Sequence, residues 1–260
     1  MVLELVTVPC LKDNYAFLIH DAASQATAVV DVPDAPPILA ALNERGWHLT
    51  DVLLTHHHWD HVDGLPALQA AAQSRDWPLT IRGAAADAHR LPPLDCALNA
   101  GDQMPFGGEV AVVIDVPGHT VGHIAFHFPT SGLLFSGDSL MVMGCGRLFE
   151  GTAAQMWQSL RKLGMLPDET LVYSGHEYTA ANMAFALTLE PPTAALILRQ
   201  SAIDRARSAS QPTVPSTLAL ERQTNPFLRA SEPALKAAIG MSDAPDEVVF
   251  AEIRSRKDKF

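Results

Sequence analysis

Short apolar runs rich in β-branched and aromatic residues, bounded by Gly, Pro, Asp and Asn, dominate the first two-thirds of the chain. They predict strands over residues 2–8, 15–20, 27–32 and 51–55. Further runs at 79–82, 110–116, 123–128 and 133–136 carry the same pattern, and "HIAFHF" alternates as a strand with one buried face does. Residues 36–44 predict a helix closed by Gly46, and another helix is expected after Gly64. A last strand at 171–174 ends this texture. Helical segments then follow at 178–189, 193–209, 232–239 and 245–258, with the connector "QPTVPST" between the second and third. Strands first and helices afterwards predict an α/β body, residues 1–174, and a mainly helical domain, residues 175–260. There is no internal repeat of fixed period and no low-complexity tract.

Composition narrows the class. A chain of 260 residues with 48% hydrophobic content can bury a substantial core. No apolar run approaches the roughly 20 residues a membrane span requires. The start, "MVLELVTVPCLKDNYAF", has no basic stretch followed by an apolar one, so a cytoplasmic protein with no membrane partner is expected. Cys10, Cys96 and Cys145 are too few and too scattered for a disulfide framework, and read as reduced, mostly buried thiols. A net charge of −11 argues against a nucleic-acid partner. The charge is uneven: residues 199–260 hold 10 of the 18 Lys and Arg but 8 of the 29 Asp and Glu. This positive tail on an acidic body is suited to an anionic small molecule, the plainer alternative being solvated helix faces.

Candidate metal ligands follow four of the strand-like runs. "THHHWDH" places His56, His58, Asp60 and His61 after 52–54; "VPGHT" places His119; "FSGD" places Asp138; "YSGHE" places His176. Strand ends converge on one edge of a sheet, where loops present side chains from a rigid base. In an extended segment His56 and His58 share a side and can take one ion, while Asp60 and His61 lie beyond, where a turn can direct them to a second. Imidazole and carboxylate without thiolate suit Zn²⁺, Mn²⁺ or Fe²⁺, and this many donors exceed what one zinc requires. The economical count is two ions: His56, His58 and His119 on the first, Asp60, His61 and His176 on the second, and Asp138 bridging. Such a pair acidifies a shared water, supplying a hydroxide nucleophile without Ser or Cys. Asp60 and Asp138 are the catalytic candidates. His57 and Trp59 point the other way and are expected to pack, or to support the ligands from behind, rather than ligate.

These residues carry a family resemblance. "THHHWDH" resembles the Thr-His-x-His-x-Asp-His signature of the metallo-β-lactamase fold superfamily, and "PGHTVGH", "SGD" and "SGHEYT" resemble its later motifs in order. The resemblance implies a four-layer αββα sandwich with a dinuclear site at the edge of its sheets. "VPCLKDNYAFLI", "GCGRLFEGT", "TVPSTLALERQTNPFLR" and "RSRKDKF" are similar to glyoxalase II, the hydroxyacylglutathione hydrolase family. That implies a thioester hydrolase converting S-D-lactoylglutathione and related S-2-hydroxyacylglutathiones, plus water, to D-lactate or another 2-hydroxy acid and glutathione, in methylglyoxal detoxification. It also implies two metals, zinc foremost with iron or manganese as alternatives, and a C-terminal domain that binds glutathione. The matching contact positions are Arg147, Phe149, Tyr178, Arg254 and Lys257, for a chain expected to act as a monomer. Phe149 stands where relatives often have Tyr, and Arg147 where many have Lys, which preserves the charge but changes the donor geometry. Arg256 and Lys259 read as cations at an exposed helix end. Rival readings on the same fold are a persulfide dioxygenase with one iron, a β-lactamase or lactonase, and a non-catalytic metal binder; the full ligand set and the tail motifs argue against all three.

Overall fold

The computed structural model describes residues 3–260; Met1 and Val2, where the first expected strand begins, lie outside the described residues. The contacts gather the chain into two compact units, one running through Asp115 and adding Gly122–Gly137, the other made of Val116–Val121 and Asp138–Phe260. The strand-to-helix change in the sequence at 174/175 is a different division.

The first unit is built on two sheets. Strands β1 (Glu4–Cys10), β2 (Asn14–Asp21) and β3 (Ala26–Val30) pair antiparallel. Helix α1 (Ala35–Arg45) starts on a Pro-containing first turn and ends at Gly46, whose φ of 67° is the left-handed cap that glycine adopts without a Cβ penalty. Strand β4 (Asp51–Leu53) returns parallel to β3. The short α2 (Trp59–Val62), α3 (Leu65–Gln73), β5 (Thr80–Ala84) and β6 (Cys96–Leu98) complete a six-stranded sheet in chain order. Strands β7 (Gln103–Phe106), β8 (Glu109–Asp115), β9 (Ile124–Phe128) and β10 (Leu133–Gly137) form an antiparallel meander.

Every residue of β2 is buried, as a strand covered on both faces requires. Phe17 on β2 lies 5.6 Å from Phe135 on β10, which meets Phe128 edge-on at 5.9 Å, so aromatic rings fill the space between the sheets. Helices α1 and α3 bury Ile38, Leu42, Leu65 and Leu68. The strand expected over 51–55 ends at Leu53; Leu54 N–H still donates to Arg82 O, and the following amide, Thr55 N–H, turns to the Asp31 carboxylate.

In the second unit a tight hairpin, β11 (Leu140–Met141) and β12 (Gly144–Cys145), precedes α4 (Ala153–Leu163). Strand β13 (Leu171–Ser174) pairs antiparallel with β14 (Ser216–Thr217). The remaining helices are α5 (Thr179–Ala186), α6 (Ala194–Ser208), α7 (Leu218–Thr224), α8 (Pro233–Ala238) and α9 (Asp246–Lys259). Trp157 of α4 packs on Phe250 of α9 at 5.7 Å, and Phe250 meets Phe227 at 5.8 Å. Short β6, β7, β11, β12 and β14 and helices α2, α4 and α7 are absent from the sequence expectations. For α4 the signal was present in "TAAQ": Thr152 and Gln155 form a reciprocal capping box. No helix among the described residues is long and apolar enough to cross a membrane.

Candidate metal centre

The motif after β4 is organised by a residue outside it. Asp31 follows β3 in the left-handed region, φ 57°, a conformation Asp tolerates better than most residues but at a cost of about 1 kcal/mol. Its carboxylate offsets that cost with three bonds. It accepts from Thr55 N and Thr55 Oγ1, both at 2.8 Å, and from His61 Nδ1, also at 2.8 Å. With its Nδ1 proton committed there, His61 presents Nε2 as its ligand atom. The His56 ring lies 4.2 Å from that of His61 and 4.7 Å from that of His58. Asp60 Oδ2 is 3.9 Å from His61 Nε2, and Asn14 Nδ2 fixes this residue by donating to Asp60 O at 2.9 Å and to Oδ2 at 3.1 Å. His57 turns to Asp87, 3.0 Å away, whereas Trp59 is exposed and, against expectation, does not pack into the core.

In the second unit three candidate ligands from separate parts of the chain meet. His119 follows Gly118, where a Cβ would lie 2.7 Å from Met156 Cβ and where φ is 150°, so only glycine fits. His119 Nδ1 donates to the carbonyl of Arg147 at 2.7 Å, which again presents Nε2 as the candidate ligand atom. Its Nε2 is 3.4 Å from Asp138 Oδ2, and His176 Nε2 is 3.3 Å from that same oxygen. All three side chains are buried. Charge-assisted hydrogen bonds are shorter than this, about 2.7–2.9 Å. Two ligand atoms bound tetrahedrally at about 2.0–2.1 Å from one zinc-sized ion are separated by roughly 3.3 Å. Both separations match that edge, and the nitrogen and oxygen donors are those such an ion takes, so the residues fit a divalent metal.

A profile described as the metallo-beta-lactamase superfamily matches residues 16–176, and one described as the hydroxyacylglutathione hydrolase C-terminus matches residues 177–260. A hydroxyacylglutathione hydrolase of Cereibacter sphaeroides (strain ATCC 17025 / ATH 2.4.3) is 66% identical over 260 residues, all of both chains. This chain belongs to the hydroxyacylglutathione hydrolase family. Among solved structures, ETHE1 from Myxococcus xanthus superposes with a TM-score of 0.68 at 26% identity, covering 98% of this chain and 90% of its own. TTHA1623 in a di-iron-bound form gives 0.59 at 28% identity, covering 86% of this chain and all of its own. The chain thus has the metallo-β-lactamase α/β sandwich with a helical C-terminal part, and its fold and histidine/aspartate clusters point to divalent-metal binding.

For a hydroxyacylglutathione hydrolase, the remaining question is where the substrate-contact candidates lie. Tyr178 stacks on His176, ring centroids 4.6 Å apart and planes within 5°, and Phe149 meets His119 edge-on at 5.3 Å. Both aromatic side chains are exposed, beside the two imidazoles that flank Asp138. Arg147 is exposed and its Nε is 3.5 Å from Asp258 Oδ1. Arg254, by contrast, is buried: it donates to Cys145 O at 3.0 Å and to Asp258 Oδ1 at 2.9 Å, and lies 5.1 Å above the Phe227 ring. Lys257 donates to Ala181 O at 3.2 Å and sits against the rings of Phe185 and Phe260. Burial, then the positive charges of Arg254 and Arg147, push the Lys257 ammonium down to about 8. Burial likewise pushes the Cys145 thiol up to about 11, keeping it protonated. Arg256 pairs with Glu252 at 2.8 Å along α9.

The sequence reading missed Asp31 and Asn14 as supports of the ligands. Each had a signal: Asp31 is the polar residue that closes the apolar run "AVVDV", and Asn14 stands in "LKDNYAF" where β2 begins.

Proposed function

We propose that the chain hydrolyses S-D-lactoylglutathione and related S-2-hydroxyacylglutathiones to the 2-hydroxy acid and glutathione, as a cytoplasmic, monomeric enzyme of methylglyoxal detoxification. The observation that carries this reading is one carboxylate oxygen, Asp138 Oδ2, at near-equal distance from His119 Nε2 and His176 Nε2, 3.4 and 3.3 Å. Asp138 would be the residue that two ions share. His56, His58 and His119 would hold one ion and Asp60, His61 and His176 the other, with zinc foremost; the di-iron form of TTHA1623 supports iron as an alternative. When bound, two such ions lower the pKa of a shared water and polarise a thioester carbonyl.

The chain's own residues do the rest. Asp31 and the Arg147 carbonyl hold the His61 and His119 rings in one tautomer, so the donor atoms need no reorientation on binding. Asp60, tethered by Asn14, also accepts a hydrogen bond from the attacking water and aims it at the carbonyl carbon. Phe149 and Tyr178 cover the acyl and thioester part. Arg147, Lys257 and Arg254 supply the positive field for the two glutathione carboxylates. The departing thiolate, with an ordinary pKa near ~8.5, is stable enough to leave without a dedicated acid. Thus the residues of 175–260, with Arg147 and Phe149, choose the thioester, and the histidines choose the chemistry.

The test is thiol release from S-D-lactoylglutathione, read with a chromogenic reagent on protein of measured metal content. Hydrolysis abolished by a chelator and restored by Zn²⁺ is expected. Metal-loaded protein that releases no thiol overturns the reading.

A further inference from the structure

The segment "TVPSTLALERQTNPFLR" has no role in the chemistry above, yet its side chains, with two from neighbouring helices, hold the backbone of one hairpin. The hairpin β11–β12 lies between the metal-ligand candidate Asp138 and the substrate-contact candidate Arg147. Asn225 Nδ2 donates to Met141 O at 3.1 Å and to Gly144 O at 3.0 Å. Asn182 Nδ2 donates to Val142 O at 3.1 Å, and Arg254 Nη1 to Cys145 O at 3.0 Å. Met143, at the tip, adopts a left-handed φ of 61°, and its amide donates to Glu221 Oε2 at 2.7 Å. Glu221 is fully buried. Its other oxygen accepts from Arg199 Nη2 at 2.6 Å, and the same guanidinium nitrogen reaches Ser216 Oγ at 2.9 Å. Asn225 Nδ2 closes the network on Glu221 Oε2 at 3.1 Å.

A free hairpin of this size would be marginal, with a two-residue ladder and a tip in a conformation that only glycine adopts freely. Here the carbonyls of residues 141, 142, 144 and 145 and the amide of 143 are all fixed by side chains. The position is transmitted to the site at both ends. Gly146 N donates to Ser139 O at 3.1 Å, and a Cβ at Gly146 would lie 1.9 Å from Asp138 O, so the strand leaving the hairpin runs tight against the ligand's backbone. The next residue, Arg147, supplies the carbonyl that orients His119.

We propose that Glu221, charged against Arg199 and joined by Asn225, is a positioning residue. Through the hairpin it sets both the Asp138–His119 ligand pair and the Arg147 side of the thioester subsite. Apolar side chains would stabilise the interior as well as a buried ion pair does, but they could not accept the Met143 amide. This inference rests on the hydrolase reading.

The experiment compares Glu221→Gln with Glu190→Gln, which damages another ion pair of the same unit, Arg229–Glu190, whose guanidinium bonds go to Glu190 and Glu232 rather than to the hairpin backbone. Wild type is assayed first for S-D-lactoylglutathione hydrolysis, so a failure of the hydrolase reading is seen there by itself. Both variants should melt lower. Only Glu221→Gln should also lose metal, to half of the wild-type content or less after dialysis, drop at least tenfold in kcat and rise in KM. Glu221→Asp, which keeps the charge, should recover part of the metal content. If Glu221→Gln does not fold, Asn225→Ala carries the same test, with a smaller loss of metal and kcat. Wild-type metal content, kcat and KM in a folded Glu221→Gln or Asn225→Ala protein, at whatever melting temperature, overturn the proposal. Equal metal loss in Glu190→Gln does so too.

Discussion

The two groups of candidate ligands are assembled in opposite ways. His56, His58, Asp60 and His61 come from one stretch of seven residues, and their order is maintained by side chains: Asp31 on His61 and Thr55, Asn14 on Asp60. His119, Asp138 and His176 come from three distant places, and their order is maintained by the backbone: a carbonyl on His119, and glycines at 118 and 146 that no other residue could replace without a clash. A contiguous motif brings its ligands close whatever the fold, and needs only a second side chain to fix ring tautomers. Ligands far apart in sequence depend on exact chain paths, so the constraint falls on φ values, close approaches and hairpin position. The first group is therefore open to tuning through single contacts on its donor rings; the second can be tuned only through what fixes its chain path, such as the hairpin held by Glu221 and Asn225.

Substitutions can break or sharpen this contrast. The largest effect is expected for Asp138→Ala, which removes the one oxygen shared by two imidazoles: kcat should fall by about 10³-fold or more with loss of bound metal, measured by thiol release and elemental analysis. Asp31→Ala should act more mildly, through the ligands it supports, weakening metal affinity by about 10–100-fold in a chelator competition titration. If Asp31→Ala were as damaging as Asp138→Ala, the distinction between side-chain and backbone support would fail. Lys257→Ala should raise KM about tenfold with kcat little changed, since it touches neither ligand group. The wild type should show the same loss with pH. Lys257 is held down to about 8, so it is charged below that pH and neutral above it, and kcat/KM should decline as pH rises through 8. The smallest effect is expected for Phe149→Ala, an exposed ring at the edge of His119: a change of a few-fold in KM, worth about 1 kcal/mol or less.

Much of the architecture was legible in the sequence because it rests on local patterns. The apolar run of β2, the alternating run of β9 and the Gly46 stop of α1 are local signals, and the elements sit where those signals fall, but every residue of β9 is buried rather than the one face its alternation suggests. The two- and three-residue strands β6, β11, β12 and β14 were not legible, because a strand that short owes its existence to its partner more than to its own composition. Helix α4 carried both an amphipathic pattern and a capping box, and was obscured by the glycine-rich run before it. The cations proposed for substrate binding divide in a way that charge counting could not foresee: Arg147 is exposed, Arg254 is buried on Phe227 and Asp258, and Lys257 lies between.

The sequence by itself determined the chemistry available to this protein. Seven imidazole and carboxylate side chains after strand-like runs, without thiolate, and a cationic tail on an acidic body are properties of residue identity and spacing. The tertiary structure alone decided how these donors are held. Asp31 reaches His61 across 30 residues, His119 is oriented by a carbonyl 28 residues away, and Glu221 takes the amide of Met143 at a separation of 78. A side chain's identity fixes which atom it can offer, but the direction of that atom depends on a partner elsewhere in the chain, and only folding brings the partner to it.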